Sequence, residues 1–337
     1  MSARPSLALF ALLGALAATA CADDFAVDEL PIVEASDRYL TTDDPIEPIP
    51  FEVELDARKV SLGERLFRDP ILSPSRLVAC TTCHELGRGG VDGRKTSALE
   101  GQPPMLVNTP TMFNVAFSYK LHWGGAYAVL TKQLDVPITS PRALATTYKD
   151  VVKRLSASAE YRSAFAAIYP EGITIQSFTD AIVEYERSLF TPNAPFDRYL
   201  RGDTDALTED EREGYAIFKS HGCISCHQGI NIGGNLFQKL GVLADYFGDR
   251  GNVNEADYGR YNVTKNEADR FVFRVPSLRN VGVTAPYFHD GSAATLEDAV
   301  RVMAEYQLGR SLSPEKIRLV VAFLKSLTGE YKGVRLE

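Results

Sequence analysis

Twice in 337 residues the chain reads Cys-x-x-Cys-His, as Cys80-Thr81-Thr82-Cys83-His84 and as Cys223-Ile224-Ser225-Cys226-His227. Two thiols at this spacing, followed at once by an imidazole, suit covalent attachment of a c-type haem. The thiols add across the two vinyl groups and the histidine is set under the iron as its proximal ligand. A zinc site and a redox-active dithiol also use Cys-x-x-Cys pairs. Here the pairs stand far apart, both end in histidine and both follow an export signal, a combination that favours two covalent haems over those rivals.

That signal occupies residues 1–20: Arg4 is its only charge, Leu7 to Ala18 is apolar, and Ala18-Thr19-Ala20 is a run of small residues. The apolar stretch is too short to span a membrane. Plain cleavage after Ala20 and lipidation of Cys21 both fit. The two motifs use four of the five cysteines, which leaves Cys21 at the start of the mature chain, where a lipid thioether accounts for it. The expected location is therefore the periplasm, free or anchored as a lipoprotein. Residues 21–50, acidic and rich in proline, read as a tether and lead-in segment. A net charge of −8 and a pI near 5.3 offer no basic stripe for nucleic acid and suit a basic protein partner.

Laid over one another, the two halves carry one pattern. Ser61-Leu62-Gly63-Glu64 and Thr208-Glu209-Asp210-Glu211 both have the form of a helix-capping box. Gly63 with Phe67 matches Gly214 with Phe218, and Gly89-Gly90 matches Gly233-Gly234. Pro110-Thr111-Met112-Phe113-Asn114 matches Pro276-Ser277-Leu278-Arg279-Asn280, after which Trp123 pairs with His289, Gly125 with Gly291 and Leu130 with Leu296. Each half closes on an amphipathic helix, with Ile182, Tyr185 and Leu189 answering Val320, Phe323 and Leu327. In the last of these, Ser313 is the expected N-cap, Pro314 the first helical residue and Gly329 the residue past its end. Strand-like alternation is scarce. The expected fold is all-α, two cytochrome c-like haem domains in tandem, over residues 51–200 and 201–337, with residues 231–269 a long Asn-, Gly- and Asp-rich excursion.

The repeat separates the two motifs chemically. Met303, at the end of an amphipathic stretch from Leu296, is the candidate thioether ligand on the far side of the second iron. The same place in the first half holds Pro137, which binds no metal. The second haem therefore reads as six-coordinate and electron-holding, and the first as able to open for a small ligand. Met105 and Met112 are weaker candidates near the first haem. His122 is a candidate for its open face, His221 reads as a surface residue, and His289 and Trp123 read as lying near a haem or between the two.

Together these residues resemble the bacterial di-haem cytochrome c peroxidases, the group that also contains the MauG-type enzymes. The resemblance runs from Gly63-Glu64-Arg65-Leu66-Phe67 to Phe323-Leu324-Lys325-Ser326-Leu327 and includes Gly89-Gly90-Val91-Asp92-Gly93, Asn108-Thr109-Pro110-Thr111, Thr284-Ala285-Pro286-Tyr287-Phe288-His289 and Gln307-Leu308-Gly309. It implies reduction of hydrogen peroxide to water at the haem of Cys80, Cys83 and His84. Electrons would come from a small cytochrome c or copper protein through the haem of Cys223, Cys226, His227 and Met303. It places the bridging tryptophan at Trp123, the pocket glutamine at Gln133, and one Ca2+ at the side chain of Asn108 and the carbonyls of Thr284 and Pro286. A homodimer is also admitted.

Two departures qualify this. The family's removable histidine aligns with Glu100, and its distal acid-base glutamate aligns with Ala143. Loss of that carboxylate is expected to slow peroxide cleavage by about 10²–10⁴, unless Glu100 swings over the first haem as ligand or replacement acid-base group. Rival expectations are a MauG-type oxidase of a partner protein, against which Met303 stands, and a di-haem electron carrier without turnover.

Overall fold

The computed structural model describes residues 44–337; the export signal, Cys21 and most of the lead-in segment lie outside them. Among the described residues short α-helices dominate. In chain order they are α1 (Ala57–Arg68), α2 (Leu130–Gln133), α3 (Asp135–Thr139), α4 (Tyr148–Ala157), α5 (Ala159–Ala166), α6 (Ile175–Arg187), α7 (Pro195–Leu200), α8 (Glu209–Ser220), α9 (Tyr246–Arg250), α10 (Tyr261–Thr264), α11 (Leu296–Val302) and α12 (Pro314–Lys325). Strand is confined to two small antiparallel ladders, β1 (Phe237–Lys239) with β2 (Val272–Arg274) and β3 (Glu330–Tyr331) with β4 (Val334–Arg335). No helix among the described residues is long and apolar enough to cross a membrane.

The caps follow local chemistry, with one correction. Thr208 and Glu211 form the expected box, each side chain meeting the other's backbone N–H. Ser313 caps α12, with Pro314 at its first position. Ser61 caps nothing: it is exposed inside α1, whose N-cap is Asp56, five residues earlier, with a carboxylate that accepts from the N–H groups of Arg58 and Lys59. Aspartate is as good an N-cap as serine, so the helix extends back to the first available acceptor.

Each half is built on one helix crossing, α1 over α6 and α8 over α12, and a glycine sits at each contact point. A Cβ on Gly63 would lie 2.0 Å from the carbonyl oxygen of Ala181, and one on Gly214 2.0 Å from that of Leu319. Only a residue without a side chain lets the backbones approach so closely. Beside each glycine an aromatic pair closes the crossing, Phe67 with Tyr185 at 5.3 Å and Phe218 with Phe323 at 5.1 Å. Leu62, Leu66, Phe165, Phe178 and Ile182 fill the first core, and Phe196, Tyr215, Val320 and Leu324 the second. Burying each such side chain contributes about 1.5–3 kcal/mol.

The repeat extends to single hydrogen bonds. Asn114 and Asn280 are both left-handed (φ 61° and 60°). Their backbone N–H groups donate to the matched residues Leu189 and Leu327. Their side-chain oxygens accept from Thr191 N–H and Gly329 N–H, and both amides donate to the Thr191 hydroxyl. The halves are thus joined through one threonine. Asn231 adds a second tie, donating to the carbonyl of Asn114.

The excursion of residues 231–269 is not an open loop. It supplies β1, α9 and α10, and its Leu240, Tyr246 and Phe247 build a small third core with Phe273. Against that core pack Trp123 and Met303.

Candidate functional site

Both Cys-x-x-Cys-His motifs open on one large cavity between the helix crossings. Each motif is a single tight turn: Cys83 N–H and His84 N–H both donate to the carbonyl of Cys80, and Cys226 N–H and His227 N–H to that of Cys223. The turn gathers two thiols and an imidazole on one side. None of the four cysteines is in a disulfide. Burial pushes the Cys80 thiol up to about 12 and the Cys223 thiol up to about 11.

The two histidines are held alike. His84 Nδ1 lies 3.1 Å from the carbonyl oxygen of Gly90, and His227 Nδ1 3.2 Å from that of Ile232. Burial lowers both ring pKa values, that of His227 to about 4, so the rings are neutral. A neutral ring that donates from Nδ1 to a carbonyl keeps the Nε2 lone pair for a metal, and the carbonyl fixes its orientation. The residues present therefore fit two c-type haems.

Beyond the histidines the sites diverge. Met303 lines the cavity as the first residue of a π-helical turn, Met303–Gln307, that continues α11. Such turns are rare and concentrate at functional positions. On the first side the wall contains Gln133, Val136, Pro137, Ala143 and Met105. Pro137 sits within α3, and the side-chain oxygen of Gln133 is buried with no hydrogen-bond partner. Met112 is buried in the first core. Glu100 is not brought to this wall. It is exposed at the tip of a turn, and Leu99 faces the cavity in its stead.

Trp123 also lines the cavity and donates from Nε1 to the carbonyl of Asn108 at 2.9 Å. Its ring meets His289 edge-on at 6.4 Å, so two residues matched by the repeat touch. His289 is buried, its Nε2 lying 2.7 Å from Asp257, which Arg250 bridges to Asp290. Those three ligand-type side chains lie close together, with the Arg250 guanidinium already paired to both carboxylates. His122 lines the wall, its pKa lowered to about 4 by burial and then by Arg274. His221 is half-buried at the cavity rim rather than a free surface residue, its Nδ1 against the carbonyl of Ile217. Asn108 donates from Nδ2 to the carbonyl of Arg94 at 2.8 Å, and among the described residues its side-chain oxygen takes part in no hydrogen bond. A hard cation takes that kind of ligand, and Thr284 and Pro286 line the same cavity.

The sequence reading missed one group in this wall. Glu186, in α6, is 2% exposed, and its Oε2 has no hydrogen-bond partner.

Comparison with known proteins places this geometry. Residues 57–205 match the family described as di-haem cytochrome c peroxidase. The chain is 43% identical over 289 residues to the cytochrome c peroxidase Ccp of Escherichia coli (strain K12), covering 86% of this chain but 62% of that relative's length. It is 40% identical over 303 residues to the cytochrome c551 peroxidase of Nitrosomonas europaea, covering 90% of this chain and 89% of that one. Among solved structures, a MauG-like protein associated with microbial copper homeostasis superposes with a TM-score of 0.75 at 28% identity, over 84% of this chain and 93% of that one.

Proposed function

This chain belongs to the di-haem cytochrome c peroxidase family, a family of oxidoreductases with two c-type haems, and from that premise we propose that it reduces hydrogen peroxide to water in the periplasm. The electron donor is a small cytochrome or copper protein, and Cys21 serves as a lipid anchor. Residues 51–200 and 201–337 act as two cytochrome c-like domains in tandem. Cys80, Cys83 and His84 hold one haem, and Cys223, Cys226, His227 and Met303 the other. When bound, the first would supply the iron chemistry that reduces peroxide and the second would store one electron.

The observation that carries this reading is the inequality of two otherwise matched sites, Met303 on one side of a shared cavity and Pro137 on the other. A thioether closes the second site. A proline leaves the first open, and Gln133 offers an amide there to orient peroxide. Glu100 replaces the blocking histidine that the resemblance would supply, and from its exposed turn it obstructs nothing, so the oxidised protein is active without prior reduction. Trp123, between the two motifs and fixed by Asn108, links the sites. The oxygen of Asn108, with the carbonyls of Thr284 and Pro286, holds a calcium ion that stiffens the junction.

Ala143 favours a second reading, a di-haem electron carrier, because the first site then lacks a carboxylate to move a proton between the peroxide oxygens. Steady-state peroxide consumption by the oxidised holoprotein, with a reduced small cytochrome as donor, separates the two. Turnover from the first seconds supports the peroxidase; no turnover with intact haems supports the carrier. Slow turnover accompanied by oxidation of a partner protein points to MauG-type chemistry.

A further inference from the structure

Glu186 has no role in the reading above, yet it is a buried acid in the wall of the reactive site. It follows Tyr185, whose ring closes the α1 over α6 crossing. The repeat matches Tyr185 with Phe323, so it matches Glu186 with Leu324, which lines the cavity on the second side. One half carries a leucine at this place and the other a carboxylic acid.

Among the described residues, the surroundings of Glu186 offer no compensating cation. On α1, Arg58 pairs with Asp56, Lys59 with Asp180, Arg65 with Glu160, and Arg68 with Glu64, which also holds Lys332. On α4, Arg154 donates to the carbonyl of Ile71, and Lys149, Asp150 and Lys153 are exposed, as is Lys132 on α2. On α6 itself Arg187 pairs with Glu184. The titratable groups that sense Glu186 are the Cys80 thiol and the Tyr148 hydroxyl, and the latter donates to Asp135. Burial without a counter-ion pushes the Glu186 carboxyl up to about 8, because a lone carboxylate is costly in a medium of low polarity.

We propose that Glu186 is the proton-accepting group that couples reduction of the haem at Cys80, Cys83 and His84 to uptake of one proton. The electron comes from the donor protein and takes the iron from the ferric to the ferrous state. The proton comes from solvent and forms the O–H bond of the carboxylic acid. One charge of each sign enters, so the buried site changes its net charge by nothing. The second site, with Leu324 in this place, has no such group. The coupling operates over the pH range in which the acid is ionised beside oxidised iron and protonated beside reduced iron. There the reduced form binds the extra proton, and rising pH favours oxidation.

The inference rests on the first site holding haem, and the test keeps the two claims apart. Each haem of the purified holoprotein is titrated spectroelectrochemically at pH values below and above about 8, for the wild type, Glu186→Gln and Glu186→Leu, with haem content measured on every sample. The midpoint of the first haem is expected to fall as pH rises in the wild type and to be flat in both variants, while that of the second is the same in all three. Full haem content with an identical first-haem pH profile in wild type and variants overturns the role of Glu186 alone. A wild-type protein without haem at the first site overturns both claims. The leucine variant, copying the second half, provides a folded protein where glutamine leaves an unpaired buried amide.

Discussion

Ala143 is where a single residue most limits the chemistry. It stands in the cavity wall with Gln133, where the resemblance calls for a carboxylate. Ala143→Glu is expected to raise the turnover number with peroxide by about 10²–10⁴, the range typical of a positioned acid-base group, with little change at the second haem. Steady-state kinetics checks it; an unchanged rate means that another group already moves the proton. The residues legible from sequence were those whose spacing is dictated by covalent chemistry. Two thiols and a histidine must be adjacent to hold a haem, so Cys80 to His84 and Cys223 to His227 announce themselves. Met303 was legible only through its contrast with Pro137. Glu186 was not, since an acid one position past a core tyrosine looks solvated until the packing around α6 is known. For Glu100 the sequence gives an alignment, not the turn that carries its side chain to the surface.

Among the elements, the two helix crossings carry the architecture. Gly63 and Gly214 each face a backbone oxygen that a Cβ would approach to 2.0 Å. The neighbouring atoms are main chain and cannot turn aside. Gly214→Ala is therefore expected to part α8 from α12 and to destabilise by about 1–3 kcal/mol, the usual cost of overpacking, read as a lower Tm in thermal denaturation. Gly63→Ala is expected to act alike on α1 and α6, and a Tm unchanged in both variants contradicts the close approach. These helices were readable because each pairs a 3.6-residue apolar period with caps and a matched partner. The start of α1 was not, because Ser61 and Asp56 are both good N-caps and sequence alone does not rank them. The excursion of residues 231–269 lacked periodicity and read as loop. Its order comes from a few aromatic contacts, such as Phe247 stacked on Phe271 at 4.4 Å, which no local pattern encodes.

For the whole molecule, the repeat predicts two matched halves around unequal sites, and the structure gives two matched frames. Asn114 and Asn280 make parallel hydrogen bonds, and Trp123 meets His289 at matched positions. Against that common frame the differences stand out: Met303 against Pro137, Leu324 against Glu186, and a third core that the excursion of the second half alone supplies. The central claim is that matched scaffolds hold one closed and one open haem. The most direct test is the stoichiometry of carbon monoxide binding to the fully reduced holoprotein, followed by its visible spectrum. The account predicts one carbon monoxide per chain, taken up at the haem of His84 while that of His227 keeps Met303. Two per chain, or none, contradicts it.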